Sequence, residues 1–307
     1  MRVLVTGANG FVGAWLIQEL AKHQVEIYAI VKDKNEDIKR IENIPNIHLI
    51  YCDLSQLHTL KTTISDKIDI FYHLAWIAAG GKGRADYSVQ LTNVNYACDA
   101  ATVASHLGCR KILFAGTITE KLAENILSLK SKAENNIYGI CKHTTHCIVD
   151  VLCHKLSLDY VWMQFSNLYG PYSLNGNIVG YTIGELLKGN EATFGTAQNP
   201  YDLLYVEDLV KAMYMLGVET TKQNCYFLGT GHLRLLADFL KDIGDIYGKP
   251  ELIKIGVRPD DGTIYDEKWF DNIPIENELG FKVSYTFEEG VKKTIDWMRT
   301  LHILDQK

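Results

Sequence analysis

The stretch VTGANGFVGAWL, residues 5–16, decides the fold. It joins an apolar run, RVLVTG, to an amphipathic one, FVGAWLIQELAKH. The first reads as a buried strand and the second as a helix. Glycines at 7, 10 and 13 between them serve three needs: a tight turn, close approach of backbone to a pyrophosphate, and close packing of helix on strand. The helix N-terminus adds free N–H groups and the positive end of its dipole, both suited to phosphate. Thr6, Gly7, Asn9, Gly10, Phe11, Val12 and Gly13 are therefore candidate dinucleotide contacts.

Downstream, VEIYAIV, IHLIYCDL, IDIFYHLAW, KILFAGT and DYVWMQFSN read as further buried strands. Helices are expected over SVQLTNVNYACDAATVASHLG and over residues 135–156. Strands alternating with helices predict an α/β fold, a Rossmann-type doubly wound parallel sheet. After NLYGP the pattern loosens. VGYTIGELLKGN reads as a helix, YDLLYVEDLVKAMYMLG as a strand edge and helix, CYFLGTG as a strand, and TFEEGVKKTIDWMRT as a last helix. Residues 1–170, with 201–230 returning to them, are expected to form the dinucleotide-binding domain. Residues 171–200 and 231–307 are expected to form a smaller C-terminal substrate-binding lobe at the carboxyl edge of the sheet, where open α/β sheets bind ligands.

The totals agree with this reading. A chain of 307 residues suits one large α/β domain with an appended lobe. The formal charge of -6 and the lack of a basic stripe argue against nucleic acid or an anionic membrane as partner. Seven cysteines are dispersed without CxxC or a Cys/His cluster of metal spacing. That pattern points to reduced thiols in a cytoplasm and to no metal site. No segment approaches the ~18–20 apolar residues of a membrane span, and the N-terminal apolar run is too short for a signal peptide.

NNIYGICKHTTH places Tyr138 and Lys142 four residues apart. The spacing alone says little, because Tyr28 and Lys32 share it within a strand, where such residues lie about 13 Å apart. On a helix the two share a face. Thr117 ends the preceding strand, where its hydroxyl can hydrogen-bond a substrate oxygen. Lys142 is expected to lower the pKa of Tyr138. Tyr138 then gives a proton to a carbonyl as hydride arrives, or takes one from an alcohol as hydride leaves.

Gly-x-x-Gly-x-x-Gly after Thr6, followed by the Thr117, Tyr138 and Lys142 arrangement, resembles the extended short-chain dehydrogenase/reductase superfamily, the NAD-dependent epimerase/dehydratase family. The resemblance runs along most of the chain. It implies that Asp53, followed by Leu54, contacts the adenine, that the loop with Leu74, Ala75 and Trp76 lines the cofactor, and that Asn93 opens the central helix. It implies a nucleotide-sugar substrate whose diphosphate is held by Asn167 and clamped by Arg258. It also implies a homodimer formed by the helices near 86–107 and 135–156. Val31 stands where an acidic residue would favour NAD, and Lys32 follows it. A cation there suits a 2′-phosphate, so the expected cofactor is NADP, with NAD possible; Asp33 is a competing candidate. Tyr201 and Gln164 stand where many relatives carry arginine, which makes the pocket less cationic.

Dehydratases of this family place Asp then Glu directly after the catalytic Thr. Here Ile118 and Thr119 follow, and Glu120 comes one position late, so dehydration is not expected. FAGTIT also resembles the active-site loop of GDP-fucose synthases, with Thr119 at the position of their Cys and as a candidate substrate contact. A carbanion-handling thiolate is thus absent, and no histidine lies between His154 and His232 to partner one. What remains is reduction of a nucleotide-linked 4-keto-6-deoxy sugar. A nucleotide-sugar 4-epimerase with tightly bound NAD is the alternative, and a non-catalytic dinucleotide-binding scaffold or sensor a further one. Cys141 is read as a small buried helix residue, and His143 and His146 as surface or packing residues. Asp208 is read as capping or positioning a helix.

Overall fold

The computed structural model describes residues 1–128, 132–173, 177–260 and 262–305. Its main sheet contains β1 (Arg2–Thr6), β2 (Glu26–Val31), β3 (Ile47–Tyr51), β4 (Ile70–His73), β5 (Lys111–Thr117), β6 (Asp159–Phe165) and the strand Cys225–Leu228. The order is Cys225–Leu228, β6, β5, β4, β1, β2, β3. The pairings β1–β2, β1–β4, β2–β3, β4–β5 and β5–β6 are all parallel. Strand order therefore reverses beside β1, between β1 and β4, the kind of switch point at which open α/β sheets bind ligands. The strands can be apolar along almost their whole length because helices cover both faces.

Helices α1 (Phe11–Lys22), α2 (Leu60–Thr63), α3 (Tyr87–His106) and α4 (Asn136–Leu156) accompany these strands. Ala97, Ala100, Ala101 and Ala104 let α3 lie close, and they share a core with Leu4, Phe71, Ile112, Phe114, Val149 and Trp162. The remaining helices are α5 (Ile178–Lys188), α6 (Val206–Val218), α7 (Leu236–Tyr247), α8 (Ile273–Leu279) and α9 (Phe287–Asp305). α5, α7 and α9 surround a second core containing Tyr169, Val179, Ile183, Phe239, Ile243 and Val291. Among the described residues no helix is long and apolar enough to cross a membrane.

The chain forms two compact units. One is Met1–Asn125, Glu134–Phe165 and Val210–Tyr226; the other is Ile126–Ala133, Ser166–Leu209 and Phe227–Lys307. The division after β6 falls at Phe165 rather than at 170, and of the expected returning segment 201–230 only 210–226 go with the first unit. The cause is a separate pairing. Asn167–Tyr169 does not extend β6 but forms a two-stranded parallel ladder with Leu203–Tyr205.

The turn from β1 to α1 is tight enough to require glycine at two positions. Gly7 has φ +69°, a left-handed conformation open to residues without a side chain. A Cβ on Gly13 would stand 2.0 Å from the Gly7 carbonyl oxygen and 2.9 Å from its carbonyl carbon. Gly10 is less constrained: its Cβ would meet only the Gly7 oxygen, at 3.2 Å. Gly13→Ala should lower stability by about 1–3 kcal/mol, the range for overpacking a tight site, and Gly10→Ala by less. Urea unfolding midpoints check this, and equal midpoints for Gly13→Ala and the unaltered chain would sink it.

Candidate active site

A cavity of about 530 Å³ opens beside the glycine turn in the first unit. Thr6, Gly7, Asn9, Gly10, Phe11, Val12, Gly13, Lys32, Asp53, Leu54, Leu74, Ala75 and Trp76 all line it. Ile30, Glu36, Cys52, Ile77 and Ala79 complete the wall and were not anticipated from sequence. The cavity fits a dinucleotide on its own geometry. The N-cap of α1 is Gly10, which makes no side-chain cap, and first-turn N–H groups of a helix so begun can meet a phosphate. Asn9 Nδ2 donates to Glu36 Oε2 at 3.2 Å, which places a carboxylate on the wall that also carries Lys32. Asp53 has its carboxylate held by the Ser55 hydroxyl at 2.6 Å and backbone N–H at 2.9 Å. These bonds hold it below the usual carboxylate range.

Thr6 ties the cavity together. Its hydroxyl accepts the N–H groups of Leu74 at 3.2 Å and Ala75 at 3.3 Å, and lies 2.9 Å from His73 Nδ1. The hydroxyl therefore donates to Nδ1, which puts the ring proton on Nε2, a buried atom without a partner. Burial drives the His73 pKa down to about 3, so the ring is neutral.

Asn93 does not open the central helix. α3 begins after Asp86, whose carboxylate accepts the N–H groups of Ser88 and Val89. Asn93 lies well inside the helix, is 1% exposed, and is absent from the cavity wall. It holds the loop instead, accepting from Ile77 N at 2.8 Å and donating to Ile77 O at 2.9 Å.

Thr117, Thr119, Tyr138 and Lys142 come together at the end of β5 and the first turns of α4. The Thr117 and Thr119 hydroxyls are 3.1 Å apart. Lys142 donates to the Ala115 carbonyl at 2.6 Å, and its ammonium lies 3.5 Å from the Trp76 ring centroid but 5.8 Å from that of Tyr138. Trp76 also meets Tyr138 edge to face, with centroids 6.1 Å apart. Burial raises the Tyr138 pKa, opposed chiefly by Arg84 and then by a hydrogen bond from Thr117. Burial lowers that of Lys142 to about 7, with the Glu120 carboxylate pulling the other way. Lys142, expected to act on Tyr138, is held by the Ala115 carbonyl with its ammonium over the Trp76 ring. The guanidinium of Arg84 stands 4.2 Å from the Tyr138 ring centroid, closer than Lys142.

Glu120 is 1% exposed. Trp162 Nε1 donates to its two oxygens at 2.9 and 3.0 Å, and Gln164 Nε2 donates to Oε1. Burial nonetheless lifts its pKa to about 7. His146 stacks on Trp162, with centroids 4.7 Å apart. Cys141 is buried, and no cluster of metal-ligating residues exists among the described residues.

The second unit holds the other candidates. Asn167 has a buried Nδ2 with no partner. Arg258 donates to the Tyr181 hydroxyl at 2.8 Å. Asp208 accepts the N–H groups of Ser284 and Tyr285, so it fixes a loop. Asp202 accepts those of Thr230 and Gly231. A cavity of about 550 Å³, lined among others by Phe194, Asn199, Tyr201 and Asp260, went unseen in the sequence, since its residues come from segments without periodicity.

Comparison with known proteins agrees with this geometry. The model of the family described as "NAD dependent epimerase/dehydratase family" matches residues 3–227. The chain is 24% identical to dTDP-D-glucose 4,6-dehydratase of Mus musculus, over 97% of this chain and 88% of that one. It is 24% identical to UDP-N-acetyl-alpha-D-glucosaminuronate decarboxylase of Bacillus cytotoxicus, over 98% of each. Among solved structures, UDP-glucose 4-epimerase of Thermotoga maritima superposes with a TM-score of 0.82 at 19% identity, covering 98% of this chain and all of that one. UDP-glucose 4-epimerase of Thermus thermophilus, solved with NAD, superposes with a TM-score of 0.80 at 19% identity, covering 97% and 99%. With its family model matched over most of its length, this chain belongs to the NAD-dependent epimerase/dehydratase family, whose curated members named above act on nucleotide sugars.

Proposed function

We propose that the chain is a nicotinamide-dependent reductase of a nucleotide-linked 4-keto-6-deoxy sugar, with Tyr138 as the acid. One observation carries the reading. Trp76 lines the dinucleotide-sized cavity and also touches the Tyr138 ring and the Lys142 ammonium. The cavity and the phenol therefore share a wall. When bound, the nicotinamide would supply or accept hydride at the sugar carbon. Tyr138 passes a proton to the oxygen on that carbon, Thr117 donates a hydrogen bond to the same oxygen, and Lys142, held by Ala115, supports Tyr138 and the cofactor ribose side. Asn167, with its unpartnered amide, and Arg258 are assigned to the nucleotide diphosphate.

Dehydration is disfavoured because Glu120, the nearest carboxyl after Thr117, is fully engaged by Trp162 and Gln164. A 4-epimerase remains the second reading, since a phenol that releases a proton to one face of the reaction can take it back. The family membership favours keeping it. The absorbance of the freshly purified chain separates the two: a retained nicotinamide favours the epimerase. Tyr138→Phe should lower turnover on the cognate sugar by about 100-fold or more, with cofactor affinity preserved. Unchanged turnover would remove Tyr138 from the chemistry.

Lys32 is proposed to admit the 2′-phosphate of NADP, and Glu36 on the same wall to oppose it. Lys32→Ala should weaken NADP binding by about tenfold, the equivalent of one charge-assisted contact, while NAD binding stays within twofold. Thermal-shift titrations with the two cofactors measure this, and an equal effect on both would withdraw the assignment.

Homodimerisation through α3 and α4 is proposed alongside. Tyr87, Leu91, Ile148 and Val151 on these helices are exposed, Val151 at 69%. Val151→Glu should convert a dimer to monomer in sedimentation velocity. A chain that is monomeric to begin with, or a dimer indifferent to this change, contradicts the surface chosen.

A further inference from the structure

We propose that Trp76 is a positioning residue acting through Lys142: its indole face is the seat that keeps the ammonium charged and in place beside the cofactor cavity. Its catalytic use rests on the hydride-transfer reading, which it deepens.

Lys142 is 3% exposed. Among the described residues it donates to the Ala115 carbonyl at 2.6 Å, and no carboxylate forms an ion pair with it. An ammonium taken out of water without a counter-ion gives up its proton readily. What faces it instead is the Trp76 ring, whose centroid lies 3.5 Å from Nζ. Indole is the best of the aromatic faces for a cation, and the attraction is larger when the pair is desolvated. It favours the ammonium over the neutral amine, which draws little from the ring's quadrupole.

The indole is itself held. Trp76 Nε1 donates to Gln90 Oε1 at 2.8 Å. Gln90 is fully buried on α3 and donates in turn to the carbonyls of Ala78 at 3.2 Å and Gly83 at 3.0 Å. Asn93, on the same helix, binds both backbone groups of Ile77, the residue after the tryptophan. The ring is thus anchored to α3 while its face meets a side chain of α4. Trp76 also lines the dinucleotide-sized cavity, which sets the cation beside the place where a cofactor would lie. An ammonium has three N–H donors. Ala115 takes one and the ring faces another, which leaves one for the Tyr138 hydroxyl or a ribose hydroxyl of the bound cofactor.

Other titratable groups face Lys142. Burial draws its pKa down to about 7, while Glu120 pulls upward and Arg84 downward. The Tyr138 ring, on the same helix, has its centroid 5.8 Å from Nζ. His73, on β4, is neutral. The indole opposes burial without carrying a titrating proton, so its effect does not fade with pH as that of Glu120 does.

The test follows the ε-methylene of Lys142 by NMR in the full chain, stripped of any nicotinamide and labelled with carbon-13 at lysine Cε. Lys142→Met assigns the signal. Protons over the face of an indole are moved upfield, so the Lys142 signal of the unaltered chain should stand upfield of the other lysines. Its pH midpoint should fall by about one pH unit in Trp76→Leu. It should fall by less in Trp76→Phe, which keeps a ring but loses the bond to Gln90. A Lys142 signal among those of the other lysines overturns the proposal. So does a midpoint unmoved in Trp76→Leu, or one that falls as far in Trp76→Phe as in Trp76→Leu. If Trp76→Leu does not fold, the upfield position and Trp76→Phe decide, and a midpoint that does not fall in Trp76→Phe overturns. No substrate enters these measurements, so the proposal can fail while Tyr138→Phe still lowers turnover, and the reverse.

Discussion

The backbones of Gly7 and Gly13 touch, and much of the first unit depends on that contact. With a Cβ position only 2.0 Å from the Gly7 oxygen, α1 can begin directly over the end of β1 only if residue 13 has no side chain. The close start leaves the first N–H groups of α1 facing the cavity. Thr6, one residue before the turn, uses its hydroxyl to hold Leu74, Ala75 and His73. That draws the loop after β4 to the same point. Trp76 follows in this loop and reaches both Lys142 and Tyr138. A single close approach of two backbones is thus connected, through one hydroxyl and one indole, to the proposed acid.

The parts of this arrangement set by local pattern were legible in the sequence. The glycine turn, the apolar strands and the shared helical face of Tyr138 and Lys142 all follow from period and spacing. The whole expected set of cavity-lining residues from Thr6 to Trp76 lies on one wall for the same reason: strand ends and the turns after them share the carboxyl edge of a parallel sheet. Asn93 was placed wrongly because the helix start depends on a cap. Asp86, two residues before Ser88 of SVQL, is such a cap and was the available signal. The boundary at Phe165 depends on a ladder between Asn167–Tyr169 and Leu203–Tyr205, a long-range pairing that no local pattern encodes.

Arg84 shows a different limit. It stands in GGKGRA, a stretch without period, and its position depends on the amide of Gln90 and the packing of Gly83 on Ala78. Spacing identified Lys142 as the partner of Tyr138 but said nothing of burial or direction. In the fold Lys142 is 3% exposed, bonded to a carbonyl and turned onto an indole. Desolvation then weakens the charge on which the sequence reading relied. Sequence placed Glu120 only as one position late for a dehydratase carboxyl and said nothing of what holds it. Its indole and amide partners, Trp162 and Gln164, lie on β6, some forty residues further along.

The central claim is that the cavity beside the glycine turn holds a nicotinamide dinucleotide. Calorimetric titration of the purified chain with NAD and with NADP tests it most directly. The account predicts saturable binding of at least one of them, at one site per chain, with the heat lost when Gly13 carries a bulky side chain in a variant that still folds. Absence of saturable binding for both cofactors, from a chain stripped of any nicotinamide it carried, would contradict it.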